Sequence, residues 1–255
     1  PIYLTPQVRA RANLRIITDS TAGQILFDGR RAIGVQTEGA VSVRLLSHEV
    51  ILSTGAIHTP ALLMRSGVGN PAALQALGIP VVHASASIGR TLMEHPAIAV
   101  AADLPKPMRV SDMGEQHEQA IWRFSSGLSE TPQGDMHGAI LSRFGWHSVG
   151  QRLGGMFFWV NKSYSRGVVQ LASADNRDEP DVDFRMLSDA RDVDRLKQAL
   201  IRGVQTLLAP HMRGQIGTVF PSSYSPRVAR VAQPGGWNAL QRGMLAGLLD
   251  IAGPL

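Results

Sequence analysis

Cysteine is absent from all 255 residues, which removes disulfides, thiolate nucleophiles, iron–sulfur clusters and cysteine-ligated zinc together. Lysine is scarce: Lys106, Lys162 and Lys197 are the only three, so the net charge of +5 rests on scattered arginines. The basic run or basic helix face that usually marks a nucleic-acid binder is missing. No apolar run approaches the ~20 residues of a membrane-spanning helix, and Pro1-Ile2-Tyr3 does not open a signal peptide. There is no Gly-x-Ser-x-Gly elbow, no Gly-x-x-x-x-Gly-Lys loop and no His-x-x-x-His pair. A metal site would therefore need tertiary assembly of separate histidines. The acidic stretch Asp175–Asp183 lacks the spacing of a calcium loop and carries Arg177, so it reads as a solvated turn.

What remains is globular. Hydrophobic residues make up 44% and charged residues 18%, too apolar for disorder, and the length allows one large or two ordinary domains. A soluble, cytoplasmic protein with no membrane span and no nucleic-acid partner is expected. The chain begins without methionine and stops at Gly253-Pro254-Leu255, directly after the periodic apolar stretch Leu240–Ile251. Together the two ends suggest an internal piece of a longer polypeptide.

Strand signals dominate residues 14–53. Leu14–Ile17 and Gln24–Phe27 are short apolar runs, and Asp28-Gly29 is a tight-turn signal. Ile33–Gln36 and Val41–Leu45 alternate apolar and polar around a turn at Glu38-Gly39, as in a half-wet meander. Glu49–Ser53 is a continuous β-rich run ending in Thr54-Gly55-Ala56, as a strand of a parallel sheet would be. Thr59-Pro60 predicts a helix cap and start, with Gly67 as its stop, and Asn70-Pro71 opens a second short helix closed by Gly78. Residues 103–155 read as long connections around short strands. Strands resume at 155–160 and 167–171. The best helix follows Ser188-Asp189, with Val193, Leu196, Leu200, Val204 and Leu207 on one face.

Gly67-Val68-Gly69-Asn70-Pro71-Ala72 has the letters of a dinucleotide loop, but a helix precedes it and proline interrupts it, so a helix stop and a turn explain it better. Aromatic residues are only 5% of the chain, yet Phe157-Phe158-Trp159 concentrates three of them on one strand. Alternation puts Phe157 and Trp159 on one face and Phe158 on the other. Core packing is the ordinary reading of such rings. With aromatics on both faces, one set could instead line a cavity for a flat substrate.

The run from Val50 to Pro71, through Ser53-Thr54-Gly55-Ala56-Ile57-His58-Thr59-Pro60 and Ser66-Gly67-Val68-Gly69, closely resembles a signature of the glucose–methanol–choline (GMC) oxidoreductases, FAD-dependent alcohol oxidases and dehydrogenases. The resemblance continues through Leu74–Val82 and Ile88–Pro96, and resumes at Ser165–Leu171 and Pro180–Asp189. Within the family, Phe158–Lys162 and Pro180–Asp189 look most like the 5-hydroxymethylfurfural oxidase group, which acts on aromatic and furanic primary alcohols.

The resemblance implies an α/β plus α+β fold. Residues 1–96 would be the C-terminal part of a Rossmann-like FAD-binding domain with its β-meander. Residues 97–255 would be an incomplete substrate-binding domain, an antiparallel sheet backed by helices. It implies FAD as cofactor, with Ala22, Ser53, Thr54 and Gly55 against its adenosine end. It implies an alcohol substrate walled by Phe157 and Trp159, with Asn161 as a polar candidate, and oxygen or another electron acceptor. The family's glycine-rich pyrophosphate loop and its flavin-facing histidine motif find no counterpart here, so no catalytic residue is assigned to this chain. Ala86-Ser87-Ile88-Gly89 followed by Thr91 departs from the Pro-Gly-Val-Gly and asparagine of many relatives. His95, beside Glu94, fits a family pair and reads as a structural anchor. The competing expectation is a non-catalytic binding or partner module derived from such an enzyme.

Overall fold

Residues 2–39, 42–222 and 226–252 are described by the computed structural model. Those up to Leu92, with 167–184, pack as one unit, and those from Met93 to Arg166, with Arg185 onward, as another. The expected boundary at 96/97 lies a few residues past the first break, but residues 167–184 return to the first unit.

In the first unit, Thr5 caps the short helix α1 (Pro6–Arg9) by accepting from the Val8 N–H at 3.3 Å. Strands β1 (Ser20–Asp28), β2 (Arg31–Gly39) and β3 (Arg44–Leu46) then form the antiparallel meander, in that order. Gly29 turns between Asp28 and Arg31 at φ +56°, as the Asp-Gly pair predicts. Val41, counted in the expected third strand, lies outside the described residues, as does Ala40 after the Glu38-Gly39 pair.

Two expected strands do not form. Leu14–Ile17 and Glu49–Ser53 carry no ladder, and Ile16, Ile17 and Ile51 are exposed. A buried strand needs partners on both sides, and among the described residues none pairs with either segment. Composition supplied the preference but not the pairing.

Helix α2 (Gly55–Arg65) begins at Gly55, four residues ahead of the expected cap, so Thr59 is not its N-cap and Pro60 lies inside it. Gly55 adopts φ +85°, a conformation open to glycine, and this sets the chain into the helix early. Gly67 at φ +86° ends the helix and leads into β4 (Val68–Gly69). Asn70 caps α3 (Pro71–Ala76) through its side chain on the Ala73 N–H at 3.2 Å, as the Asn-Pro signal predicts. β5 (His83–Ala84) runs parallel to β4. Met64, Leu74, Ile79 and Val169 form this unit's core.

The second unit is built on a five-stranded antiparallel sheet. It contains β6 (Ala97–Asp103), β7 (Glu118–Phe124), β8 (Met136–Leu141) and β9 (Leu153–Val160). β10 (Val168–Gln170) and β11 (Asp181–Asp183) pair with each other in the first unit. The chain then re-enters the second unit with α4 (Ala190–Leu207), β12 (Val219–Pro221), α5 (Pro226–Ala232) and α6 (Gly236–Ala252). Strand order in the large sheet is β12-β6-β9-β8-β7.

Asp189 caps α4 by accepting from the Arg191 N–H, and the helix lays Leu196, Ala199 and Leu207 over Val100, Met136, Met156, Phe158 and Val160. Each large apolar side chain so buried contributes roughly 1.5–3 kcal/mol. Gly203 lets α4 sit close on the sheet: a Cβ there would stand 2.6 Å from the Phe158 ring.

The same helix buries charge that its apolar periodicity does not reveal. Arg195, Asp192 and Asp135 are fully buried. Arg195 bonds to Asp192, to Asp135 at 3.4 Å and to the Lys162 carbonyl at 3.0 Å. Asp192 accepts from the Ser165 hydroxyl at 2.6 Å and from the Tyr164 and Ser165 amides. Burial pushes the Asp192 carboxyl up, but the Ser165 and Tyr164 hydrogen bonds and the Arg195 charge outweigh it, so its pKa lies below the usual carboxylate value. Among the described residues no helix is long and apolar enough to cross a membrane, and no group of His, Asp and Glu is arranged to hold a metal.

Candidate functional site

The face of the large sheet turned away from α4 is where Phe157 and Trp159 emerge. Alternation along β9 buries Met156, Phe158 and Val160 and leaves Phe157 and Trp159 half-buried opposite. The two rings lie 5.7 Å apart, tilted by 39°. Register places His137 of β8 directly beside Trp159, and their rings stack at 5.2 Å and 18°. Ala97 and Ala99 of β6 flank the same rings on the other side. Large rings beside alanines make a concave floor, because the short side chains leave the volume the rings would otherwise fill.

That volume is a cavity of about 590 Å³, within the size of small-molecule pockets. Phe157, Phe144, Leu141, Ala97 and Ala99 line it on the apolar side, and Arg143, His117, Glu118 and Ser222 on the polar side. Trp159 and Asn161 are not among its lining residues. Asn161 lies just past β9, half-buried, with its amide donating to the Asp135 carbonyl at 2.8 Å. The structure thus brings Phe157 and Trp159 together and leaves Asn161 beyond the end of the strand. His95 is tied by Nδ1 to the Val160 carbonyl at 2.8 Å, which fixes the end of β9 and fits the anchoring role.

Two polar residues that sequence reasoning missed belong to this face. His137 Nδ1 and Arg143 Nη1 are buried without a hydrogen-bond partner. The available signal was faint: Met136–Leu141 alternates around His137, but glycine and alanine dilute the strand pattern.

The residues expected at a cofactor lie in the first unit. Ala22 is half-buried on β1 opposite Thr37, next to a bulge at Gly23. Ser53, Thr54 and Gly55 are exposed at the start of α2. Thr54 makes no side-chain cap, its hydroxyl lying 3.0 Å from that of Thr59, so the first N–H groups of the helix are left without a side-chain acceptor from it. Nothing lies within 4 Å of where a Gly55 Cβ would stand. Its positive φ, rather than crowding by this chain, is what requires glycine there.

Two GMC oxidoreductase family models match the sequence, an N-terminal one over residues 2–97 and a C-terminal one over residues 163–240. The chain belongs to the GMC oxidoreductase family. This GMC chain is 39% identical over 203 residues to the 5-(hydroxymethyl)furfural oxidase of Methylovorus sp. strain MP688, an alignment covering 78% of the chain and 37% of that protein. It is 31% identical over 225 residues to an oxygen-dependent choline dehydrogenase of Pectobacterium carotovorum, covering 76% and 39%. Among solved structures, pyridoxine 4-oxidase from Mesorbium loti superposes with a TM-score of 0.76 at 22% identity, over 96% of this chain and 47% of that one. That likeness shows the shared fold, mixed helices with antiparallel sheets, as the sequence resemblance implies. The chain spans well under half the length of the curated relatives it matches. The aromatic strand and its cavity lie almost wholly in residues 98–162, between the two matched stretches.

Proposed function

We propose that this GMC chain supplies the substrate wall and part of the cofactor cradle of an FAD-dependent oxidoreductase acting on primary aromatic or furanic alcohols. The observation that carries the reading is the Phe157–Trp159 pair, turned away from the core beside a cavity of drug-like size. A ring held against such a wall is oriented by its faces and shielded from water, leaving its carbinol carbon at a fixed distance from the wall.

Bound FAD would supply the acceptor for the carbinol hydride, and the hydroxyl proton would go to a base outside the residues assigned here. The exposed, side-chain-uncapped start of α2 and the open space over Gly55 fit a nucleotide's approach, since free N–H groups there await acceptors. In this reading Ser53, Thr54 and Gly55 meet the adenosine half and Ala22 presents backbone to the adenine edge. Oxygen or another electron acceptor is the partner that this chemistry would require. Asn161 serves as a polar contact at the end of the substrate strand.

The test is anaerobic mixing of the flavin-loaded protein with benzyl alcohol. Bleaching of the oxidised flavin absorption, with an apparent Kd that rises about tenfold in Phe157→Ala, is expected. Flavin that stays oxidised with aromatic alcohols but is reduced by aliphatic ones would overturn the substrate class. A protein that binds aromatic alcohols and is reduced by neither would favour the non-catalytic module.

A further inference from the structure

We infer that His147 is a positioning residue for the substrate wall: its imidazole fixes the loop 142–152 that carries Phe144 to the cavity. The inference rests on the wall proposed above. The loop joins β8 to β9 and lies within the second unit. Phe144 lines the cavity beside Phe157, and its N–H is shared between the Gly150 and Leu153 carbonyls, each at 3.0 Å. Gly150 is buried and opens the short helical turn Gly150–Arg152. A Cβ on Gly150 would stand 2.7 Å from the Gly145 backbone, so the two arms of the loop touch there. The Gly150 N–H donates to His147 Nδ1 at 3.1 Å. Gly150 is thus tied through its carbonyl to Phe144 and through its N–H to His147, and the imidazole helps set where Phe144 stands.

That tie exists in one protonation state only. Nδ1 accepts, so it carries no proton, and the neutral ring keeps its hydrogen on Nε2. Protonation would set an N–H against the Gly150 N–H and undo the bond. The other ties of the turn do not titrate near neutrality. The Gln151 N–H donates to the His147 carbonyl at 3.0 Å, the Gln151 side chain to the Trp146 carbonyl at 2.7 Å, and Arg152 to the Ser148 carbonyl at 2.7 Å. The surroundings favour the accepting form. Arg242 of α6 lies over Trp146, its Cζ 5.1 Å from the ring centre, and Trp146 meets the His147 ring edge-on at 5.7 Å. Arg152 is matched by Asp250 at 2.6 Å, which also binds Arg109. Burial first, and the Arg242 charge second, hold the His147 pKa below its usual 6.5. The tie is therefore complete above that pH and is lost as pH falls through the lower folded value.

The probe is benzyl alcohol, titrated calorimetrically into the full chain from neutral to mildly acidic pH. At neutral pH His147→Ala should bind it about three- to tenfold more weakly than wild type, the worth of one hydrogen bond. His147→Asn, whose side-chain oxygen can accept from an N–H three residues on, should restore wild-type affinity. His117 and Glu118 also line the cavity, and every variant keeps their titration. Wild-type affinity should therefore fall further on acidification than that of His147→Asn, by the same three- to tenfold. In the wild-type protein, NMR should show the hydrogen-exchange protection of the Gly150 amide dropping in step with protonation of the His147 ring. Protection that stays constant through that titration overturns the tie. Wild-type and His147→Asn profiles that superimpose overturn the positioning role and leave the aromatic wall standing. Failure of the wild type to bind benzyl alcohol at any pH overturns the wall and this inference together. The exchange measurement needs no variant, so a misfolded one cannot mask the result.

Discussion

The two faces of the large sheet are made by the same five strands and are built to opposite specifications. On the α4 side every position is filled: Phe158, Met136 and Val160 are wholly buried, and Gly203 gives up its side chain so that the helix can touch the ring. Polar groups there are satisfied, down to the Arg195–Asp192–Asp135 cluster. On the other side alanines stand beside half-buried rings, space is left open, and His137 and Arg143 each keep a side-chain nitrogen unpaired. A face selected for stability closes its hydrogen bonds and its volume. On the proposed reading, the open face leaves both for a ligand to complete.

The widest gap between the faces should appear on truncating neighbours in β9. Phe158→Ala should lower stability by about 3–5 kcal/mol through the cavity it leaves. Phe157→Ala, whose ring is half-exposed, should cost roughly half that or less while weakening aromatic-ligand binding. Urea melts of the two variants, with ligand titrations, measure the split. Equal destabilisation would mean that the Phe157 face is also core.

A smaller effect should come from adding a single methyl. Gly203→Ala should cost about 1–3 kcal/mol, because the new Cβ meets the Phe158 ring and Val100. A thermal melt is enough to see it, and a neutral result would show that α4 has room to shift.

The smallest is a drift with pH at the start of α4. The Arg191 guanidinium holds the Asp189 cap at about 2, and Asp192 is also depressed. Both folded values lie below the ~3.9 of an unfolded aspartate, so their stabilisation is complete above that pH and is lost as pH falls toward 2. Circular dichroism should show an acid transition in that window. Ser165→Ala removes the hydroxyl that donates to Asp192 and should move it to higher pH.

Local chemistry was the most legible part of the sequence. Asp28-Gly29 gives the hairpin, Asn70-Pro71 the start of α3, and Asp189 the start of α4, because each acts over three or four residues. Leu14–Ile17 and Glu49–Ser53 misled for the complementary reason: a strand is completed by distant partners that composition does not name. At α2 the Thr59-Pro60 signal was outweighed by the backbone of Gly55, which no side chain advertises. Asp192 and Arg195 escaped notice because a helix face read from its apolar residues treats charges as solvated. At the site, alternation alone separated Phe157 and Trp159 from Phe158. The unpaired nitrogens of His137 and Arg143 could not be foreseen, since being unpaired depends on what the surrounding loops bring near.

Odd and even positions of β9 answer to different demands, and this makes the strand a natural handle for protein engineering. A library randomised at 157 and 159, with 156, 158 and 160 held fixed, would sample new specificities while the hydrophobic interior under α4 stayed intact. On the proposed reading, retuning the wall toward another ring would then need only a few codons on a single strand.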